Sequence, residues 1–328
     1  MARLSCVLLL AVACAAGACS GEPSAPDPGN GDPVSQMSVT VLDVGQGDAI
    51  LIENGRSHVI IDGGPPSAPT SQIIAEARLG GDTIDAMILA VTLPEHYGGL
   101  LEYFESRHAI TIRRFYENGD PSNDPLLAEL RDSVQARAGR GELQRFDADD
   151  PCGDGRSICT LALDGGGRMH VMKPLAAGSA ADRSIPVKLV GPDSASFAMW
   201  LSGDAQHDAL RFYESAYATN PGLAVRVVKG NMHGSCRGAL RSFLQATGPA
   251  WTTFSLSPAN ASGYVHDQTK ALHQELAINW YRTDENGRIQ FGTTGQPGDG
   301  YGVARELALP NSGGISDAVS DDSACDDL

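Results

Sequence analysis

An acid and a histidine stand side by side in Glu95-His96, shortly after an apolar run from Ile84 to Val91. The run predicts a buried strand, and the residues that follow His96 predict a helix. A strand that ends in a short loop with a carboxylate and an imidazole is a common place for metal ligands in α/β proteins. This loop is the first candidate for chemistry.

Acids and histidines follow other apolar runs in the same way. Asp62 follows the run 58–61, Asp204 follows 197–202, His233 follows 224–228, and His266 comes a short loop after 251–256. Taken singly, each has a plainer interpretation, since a lone histidine is usually structural and Asp beside Gly is usually a turn or a helix cap. If the loops meet on one face, their side chains could hold one metal ion.

The surrounding pattern predicts alternating strands and helices. An Asn54-Gly55 turn between two apolar runs predicts a β-hairpin. Helices are expected over 71–78, 97–106 and 124–138, and a helix is expected to begin near Gln206. Further strands are expected over 38–44, 110–116, 157–163, 168–173 and 187–191, and a last hairpin over 280–289.

Six ordered motifs resemble the metallo-β-lactamase superfamily, and most closely the hydrolase domain of ComEC-type competence proteins. They are Asp43-Val44-Gly45-Gln46-Gly47-Asp48 with Ile61-Asp62-Gly63-Gly64, the loop 91–99, Gly203-Asp204, His233-Gly234-Ser235, Asn260 before His266, and Arg282-Thr283-Asp284 before Gly287. The resemblance covers about residues 37–295 and implies a four-layer αββα sandwich with its site along one edge.

In that family the loop reads His-x-His-x-Asp-His-x-Gly-Gly. Here Val91 and Leu93 replace the first two histidines, so the first of two metal sites is expected to be lost. The resemblance implies a second site formed by Glu95, His96, Asp204 and His266. It gives His233 a catalytic role, stabilising charge or protonating the leaving group, with Met232 in place of a second histidine.

The two acids of the opening motifs have plainer interpretations. Asp48 is expected to serve only as a turn residue. For Asp62, a turn role and a supporting catalytic role beside the site remain equally open.

Two functions remain open. The chain is either a metal-dependent hydrolase of a phosphodiester, another ester or a small molecule, or an inactive relative that binds a ligand or partner. An active enzyme would use one divalent ion, zinc first, with manganese or iron as alternatives, and an inactive one would use none. A formal charge of −16 disfavours unaided binding to nucleic acid.

The N-terminus resembles an export signal. Arg3 and the apolar run 4–18 have the layout of a signal peptide, and residues 16–20 resemble a lipobox with Cys19 as the lipid-bearing residue. Simple secretion is the alternative. We expect a signal over 1–19, a flexible linker over 20–36, the domain over 37–307 and an acidic tail over 308–328. The protein would then be an envelope lipoprotein, periplasm-facing or at the cell surface.

Four other cysteines remain after Cys19. An even number in an oxidising compartment favours disulfides. Cys152 and Cys159 flank a short turn and are expected to pair, which leaves Cys236 to pair with Cys325.

Overall fold

The computed structural model describes residues 36–66, 83–105, 110–307 and Cys325. The expected signal peptide, almost all of the linker, the expected helix over 71–78 and most of the tail lie outside the described residues. No helix among the described residues is long and apolar enough to cross a membrane.

The first large sheet has eight strands, ordered β17-β16-β1-β2-β3-β5-β7-β8. Numbered along the chain, these are β1 (Met37–Val41), β2 (Ile50–Asn54), β3 (Ser57–Ile61), β5 (Ala86–Leu89), β7 (Arg114–Glu117), β8 (Gln144–Asp147), β16 (Ile289–Thr293) and β17 (Gly302–Arg305). The expected hairpin around Asn54-Gly55 is confirmed, because β2 and β3 pair antiparallel with Asn54 opposite Ser57.

The second sheet has seven strands, ordered β15-β14-β13-β12-β11-β10-β9. These are β9 (Ile158–Ala162), β10 (Arg168–Met172), β11 (Val187–Val190), β12 (Ala198–Leu201), β13 (Val227–Lys229), β14 (Trp251–Phe254) and β15 (Asn279–Arg282). A small sheet pairs β4 (Thr83–Ile84) with β6 (Thr111–Ile112).

The α-helices are mostly short. They are α1 (Pro94–Tyr97), α2 (Leu100–Glu105), α3 (Pro125–Gly139), α4 (His207–Tyr217), α5 (Arg241–Thr247), α6 (Asp267–Glu275) and α7 (Thr283–Asn286). Helix α3 begins where the Asp124 carboxylate accepts hydrogen bonds from the N–H groups of Leu126 and Leu127. A π-helical turn, Ala218–Gly222, follows α4, and 3₁₀ turns cover Asn231–Gly234 and Cys236–Gly238.

Side-chain alternation along the strands produces the layers. In β2, Ile50 and Ile52 point into a core shared by both large sheets, whereas Leu51 points outward beneath the helices. On the outer face of the second sheet, Trp200 packs with Leu210 of α4 and Phe243 of α5. The order helix, sheet, sheet, helix confirms the expected αββα fold.

Three expected elements differ from the structure. The helix expected over 97–106 begins earlier, at Pro94, and is interrupted between α1 and α2. The strand expected over 110–116 is two strands in different sheets. The prediction of a last hairpin over 280–289 is wrong, because β15 pairs with β14 in one sheet and β16 pairs with β1 in the other.

One of the two expected disulfides is present. Cys236 and Cys325 are bonded, which confirms that pairing. Cys152 and Cys159 are free thiols, so their expected pairing is wrong here. The two thiols nevertheless lie close enough for a hydrogen bond between their side chains.

Candidate metal centre

Four strand ends deliver the candidate residues to one place. Asp62 follows β3, and His96 lies in α1 after β5, the parallel neighbour of β3. Asp204 follows β12, and His233 follows β13, which is likewise the parallel neighbour of β12. Because parallel strands end at the same sheet edge, each sheet brings two of these side chains to the rim.

His96, Asp204 and His233 form the core of the site. His96 Nε2 lies 3.3 Å from Asp204 Oδ2, and His233 Nε2 lies 3.5 Å from Asp204 Oδ1. All three residues are buried, and one ligand-capable atom from each lies within 4.8 Å of the others. No described residue donates to or accepts from His96 Nε2, His233 Nε2 or Asp204 Oδ1 in a hydrogen bond.

The Nδ1 atoms of His96 and His233 each donate a hydrogen bond to an acceptor in the protein. His96 Nδ1 donates to Asp62 Oδ2 at 2.9 Å, and the other oxygen of Asp62 accepts from the Ala90 N–H at 2.7 Å. His233 Nδ1 donates to the carbonyl oxygen of Ser255 at 2.9 Å. Since both Nδ1 atoms face acceptors, each Nε2 is the atom that could bind a metal ion beside Asp204, and in His96 the metal would replace the proton that the raised pKa favours there.

These donors fit a divalent metal ion. Two ligand atoms that each bind zinc at about 2.0–2.2 Å lie about 3.3–3.6 Å apart in a tetrahedral arrangement. The separations of 3.3 and 3.5 Å in the site match this. A ligating histidine whose other nitrogen donates to a carboxylate or carbonyl is also the usual arrangement around bound metals.

Buried charge favours a cation at the same point. Burial would lower the pKa of His96, but the carboxylates of Asp204 and Asp62 hold that pKa well above its ordinary value. Burial would raise the pKa of Asp204, but His96 and His233 hold it below its ordinary range. Burial raises the pKa of Asp62 to about 6, against the attraction of His96.

A buried ion pair lies next to His233. The Lys229 ammonium, at the end of β13, lies 2.8 Å from Asp48 Oδ1, and both residues are almost fully buried. The same oxygen is 3.8 Å from His233 Nδ1. The expectation that Asp48 is only a turn residue is wrong, and Lys229 was not anticipated from the sequence.

Asp48, Asp62 and Asp204 together bring three carboxylates, and Lys229 brings one positive charge. The raised pKa of His96 adds a second positive charge, so the buried negative charge is offset either by a proton on His96 or by a metal cation in its place.

Glu95 and His266, both expected ligands, lie elsewhere. Among the described residues, the clusters of ligand-capable atoms that include His96 contain neither of them. The His266 ring lies at the disulfide, where its Nδ1 accepts from the Cys236 N–H at 3.3 Å and is 3.4 Å from Cys236 Sγ. An imidazole that accepts through Nδ1 carries its proton on Nε2, which leaves no lone pair for a metal.

His233 Nε2 lies beside Asp204, so His233 could serve as a metal ligand, and the catalytic role expected for it stays a prediction. The pairing of β12 with β13 could have indicated this, because it places His233 beside Asp204.

The positions of the two missing histidines are apolar. Val91 is fully buried in the core between the sheets, and Leu93 packs against that core. Gly203, immediately before Asp204, has φ +50°, and a Cβ added there would lie 2.4 Å from Val91 Cγ2. Val91 therefore packs closely against Gly203, and neither Val91 nor Leu93 has an atom that could bind a metal.

The chain is similar in sequence to curated competence proteins. No model of a known protein family matches the chain. ComE operon protein 3 of Bacillus subtilis (strain 168) is 23% identical over 278 residues, which cover 78% of this chain and 33% of that protein. Competence protein ComA of Neisseria gonorrhoeae is 23% identical over 262 residues, 79% of this chain and 33% of its own length. The chain thus spans about a third of these relatives.

Two solved structures are also similar. The metallo-β-lactamase fold protein YhfI from Bacillus subtilis gives a TM-score of 0.45 at 14% identity, covering 76% of this chain and 97% of its own. Igni18, a metallo hydrolase from Ignicoccus hospitalis, gives 0.45 at 13% identity, covering 77% and 98%. The curated relatives confirm the resemblance to competence proteins that the motifs indicated.

Proposed function

We propose that the chain is a metal-dependent hydrolase that cleaves a phosphodiester or another ester with one divalent cation held by His96, Asp204 and His233. The observation that carries this proposal is the pair of unpaired Nε2 atoms facing one carboxylate in a buried site. A cation bound there would lower the pKa of a bound water and polarise the phosphoryl or carbonyl oxygen of the substrate.

The protein's own residues orient this site. Asp62 fixes the His96 ring through Nδ1, and the Ser255 carbonyl fixes the His233 ring in the same way. The ion pair of Lys229 with Asp48 holds the second sheet against the loop that follows β1. Fixed ligand geometry of this kind is what a metal site needs before substrate arrives.

Turnover of bis(p-nitrophenyl) phosphate tests the proposal. The zinc-, manganese- or iron-loaded protein should release p-nitrophenol, and Asp204→Asn should lower the rate at least about a hundredfold, in the range typical for loss of a key catalytic group. Asp164→Asn, at a surface ion pair with Arg56, is the matched control and should keep the rate. Absence of turnover with every metal, or full activity in Asp204→Asn, would reject the proposal.

An inactive binding module is the second candidate, and one observation favours it. His96 lies between two carboxylates, 2.9 Å from Asp62 and 3.3 Å from Asp204, so the cluster could be held together by these contacts alone. In that case the protein would fold and bind a ligand with no metal, and chelation would not change its stability.

We also propose that the protein is exported to the bacterial envelope. Support comes from the disulfide between Cys236 and Cys325, because disulfides persist in oxidising compartments. We propose that Cys19 carries the lipid anchor. Expressed in a bacterium, the chain should then appear in the membrane fraction, and Cys19→Ser should release it; a cytosolic wild-type chain would contradict this.

A further inference from the structure

We infer that the phenolic hydroxyl of Tyr264 contacts the substrate and donates a hydrogen bond to the oxygen that gains negative charge during hydrolysis. This inference rests on the proposed function. Ester hydrolysis needs such a donor, because charge develops on the leaving or non-bridging oxygen as the bond breaks. The motifs gave this role to His233, but His233 Nδ1 donates to the Ser255 carbonyl and its Nε2 faces Asp204.

Tyr264 is a protic side chain next to His233 that is partly exposed, unlike the buried Ser255 hydroxyl. Its ring lies 6.4 Å from the ring of His233, centroid to centroid, with the two planes only 19° apart. It also lies 5.0 Å from the ring of His266. The side chain is partly exposed, and no described residue hydrogen-bonds its phenolic oxygen, although its backbone is fully engaged. A partly exposed tyrosine whose ring lies next to that of His233, and whose hydroxyl has no described protein partner, is able to bind substrate.

The backbone of Tyr264 is fixed before any substrate binds. The Asn260 side chain accepts from the Tyr264 N–H at 3.0 Å and donates to the Tyr264 carbonyl. Two residues later, the His266 N–H donates to the Gly234 carbonyl at 3.0 Å. A fixed backbone limits the positions that the hydroxyl can take, and donors that need little reorganisation contribute strongly to catalysis.

The loop of Tyr264 is also tied to the loop of His233 by packing. The Val265 methyl groups lie against Gly234, where an added Cβ would be 2.9 Å from them. His266 accepts from the Cys236 N–H. These contacts give His266 a role: it joins the two loops and so sets where Tyr264 stands relative to the metal ligands.

Glu95 is the competing candidate because it is partly exposed and adjacent to His96. A carboxylate accepts hydrogen bonds but donates none, so it would repel the developing charge. The hydroxyl of Tyr264 is chemically the better partner.

Tyr264→Phe tests the inference, since it removes only the hydroxyl. In the metal-loaded protein we expect kcat for bis(p-nitrophenyl) phosphate to fall about a hundredfold, as for loss of one oxyanion donor, with KM and metal content nearly unchanged. Tyr301→Phe is the matched control, because Tyr301 is also partly exposed but packs against Phe197 and should leave kcat unchanged.

The outcomes separate this inference from the proposed function. If the wild type turns over and Tyr264→Phe keeps its kcat, the inference is wrong and the hydrolase proposal stands. If the wild type shows no turnover, the hydrolase proposal fails, and calorimetric binding of the same diester decides the role of Tyr264. Weaker binding by Tyr264→Phe then supports contact with the ligand, and equal binding excludes it.

Discussion

At the scale of single residues, the site depends on which nitrogen of each imidazole is occupied. In both His96 and His233, Nδ1 donates a hydrogen bond to a fixed acceptor, so Nε2 is the atom that faces Asp204. His266 has the opposite arrangement, with Nδ1 accepting from a backbone N–H. The same residue type thus directs Nε2 at Asp204 in two loops and joins two loops through a hydrogen bond in a third.

Asp62 should act on metal affinity through His96. Asp62→Asn keeps a side chain that tolerates the observed φ of +59° but weakens the hydrogen bond that orients the ring. We expect zinc to bind about 10- to 100-fold more weakly, as for other lost partners of ligating histidines. Competition with a chromophoric chelator measures this, with Asp164→Asn as control. Unchanged affinity would remove Asp62 from the site.

His273 should make stability depend on pH. It is buried away from the site, its Nδ1 donates to the Thr269 carbonyl, and burial lowers its pKa to about 4. The unfolded chain takes up a proton near pH 6.5 and the folded chain does not, so stability is full above that pH and falls as the pH drops towards 4.

The free energy of unfolding should therefore be about 2 kcal/mol lower at pH 5 than at pH 7.5 through this residue. Urea unfolding with EDTA present measures it. His273→Gln should show a correspondingly smaller loss between the two pH values. Equal losses in the two proteins would show that His273 does not carry the effect.

Residue roles could be predicted only in part. Asp62, His96 and Asp204 each follow an apolar run, but so does His266, and the ordered motifs rather than the runs identified the candidates. The pairing of Asp48 with Lys229 joins distant parts of the chain in different sheets, and no local pattern reports it. The exclusion of His266 depends on one backbone hydrogen bond, which spacing cannot predict.

At the scale of elements, the strand order decides which loops meet. Strand β12 pairs with β13, and β3 pairs with β5, so the four site loops end at the rim of two facing sheets. Apolar runs located most strands, but they do not specify pairing partners. That is why β15 and β16 were expected to form a hairpin, although they belong to different sheets.

The buried pair of Lys229 and Asp48 should behave as a coupled unit between the sheets. Lys229→Met leaves a buried carboxylate without its cation, and we expect unfolding free energy to fall by about 3–5 kcal/mol. Adding Asp48→Asn should recover part of this loss, because the uncompensated charge is gone. Urea unfolding of the two single variants and the double variant measures the coupling. Additive losses would contradict a direct interaction, and Arg56→Ala at the surface should change little.

At the scale of the whole molecule, two packed sheets and their outer helices hold the site, and one disulfide ties the C-terminal region to it. Cys325 bonds to Cys236, which lies three residues after His233. The αββα architecture could be predicted because six motifs occur in order. Stabilisation by the disulfide depends on the length of chain that it closes.

Removal of this disulfide should destabilise the fold. It spans a sequence separation of 89 residues, and a loop of that length corresponds to about 4–5 kcal/mol of stabilisation. Cys325→Ser should lose about that much in urea unfolding, and reductant should lower the stability of the wild type but not that of the variant. A wild type that is insensitive to reductant would contradict this role.

Metal content tests the central claim, that His96, Asp204 and His233 form one metal site. After loading with zinc and dialysis, elemental analysis should find about one equivalent per wild-type chain and less than about 0.2 in His96→Ala, because a three-residue site loses most of its affinity with one ligand. His170→Ala, on strand β10, should retain the full equivalent. Wild-type protein below about 0.2 equivalents, or a His96→Ala variant that retains its zinc, would contradict the account.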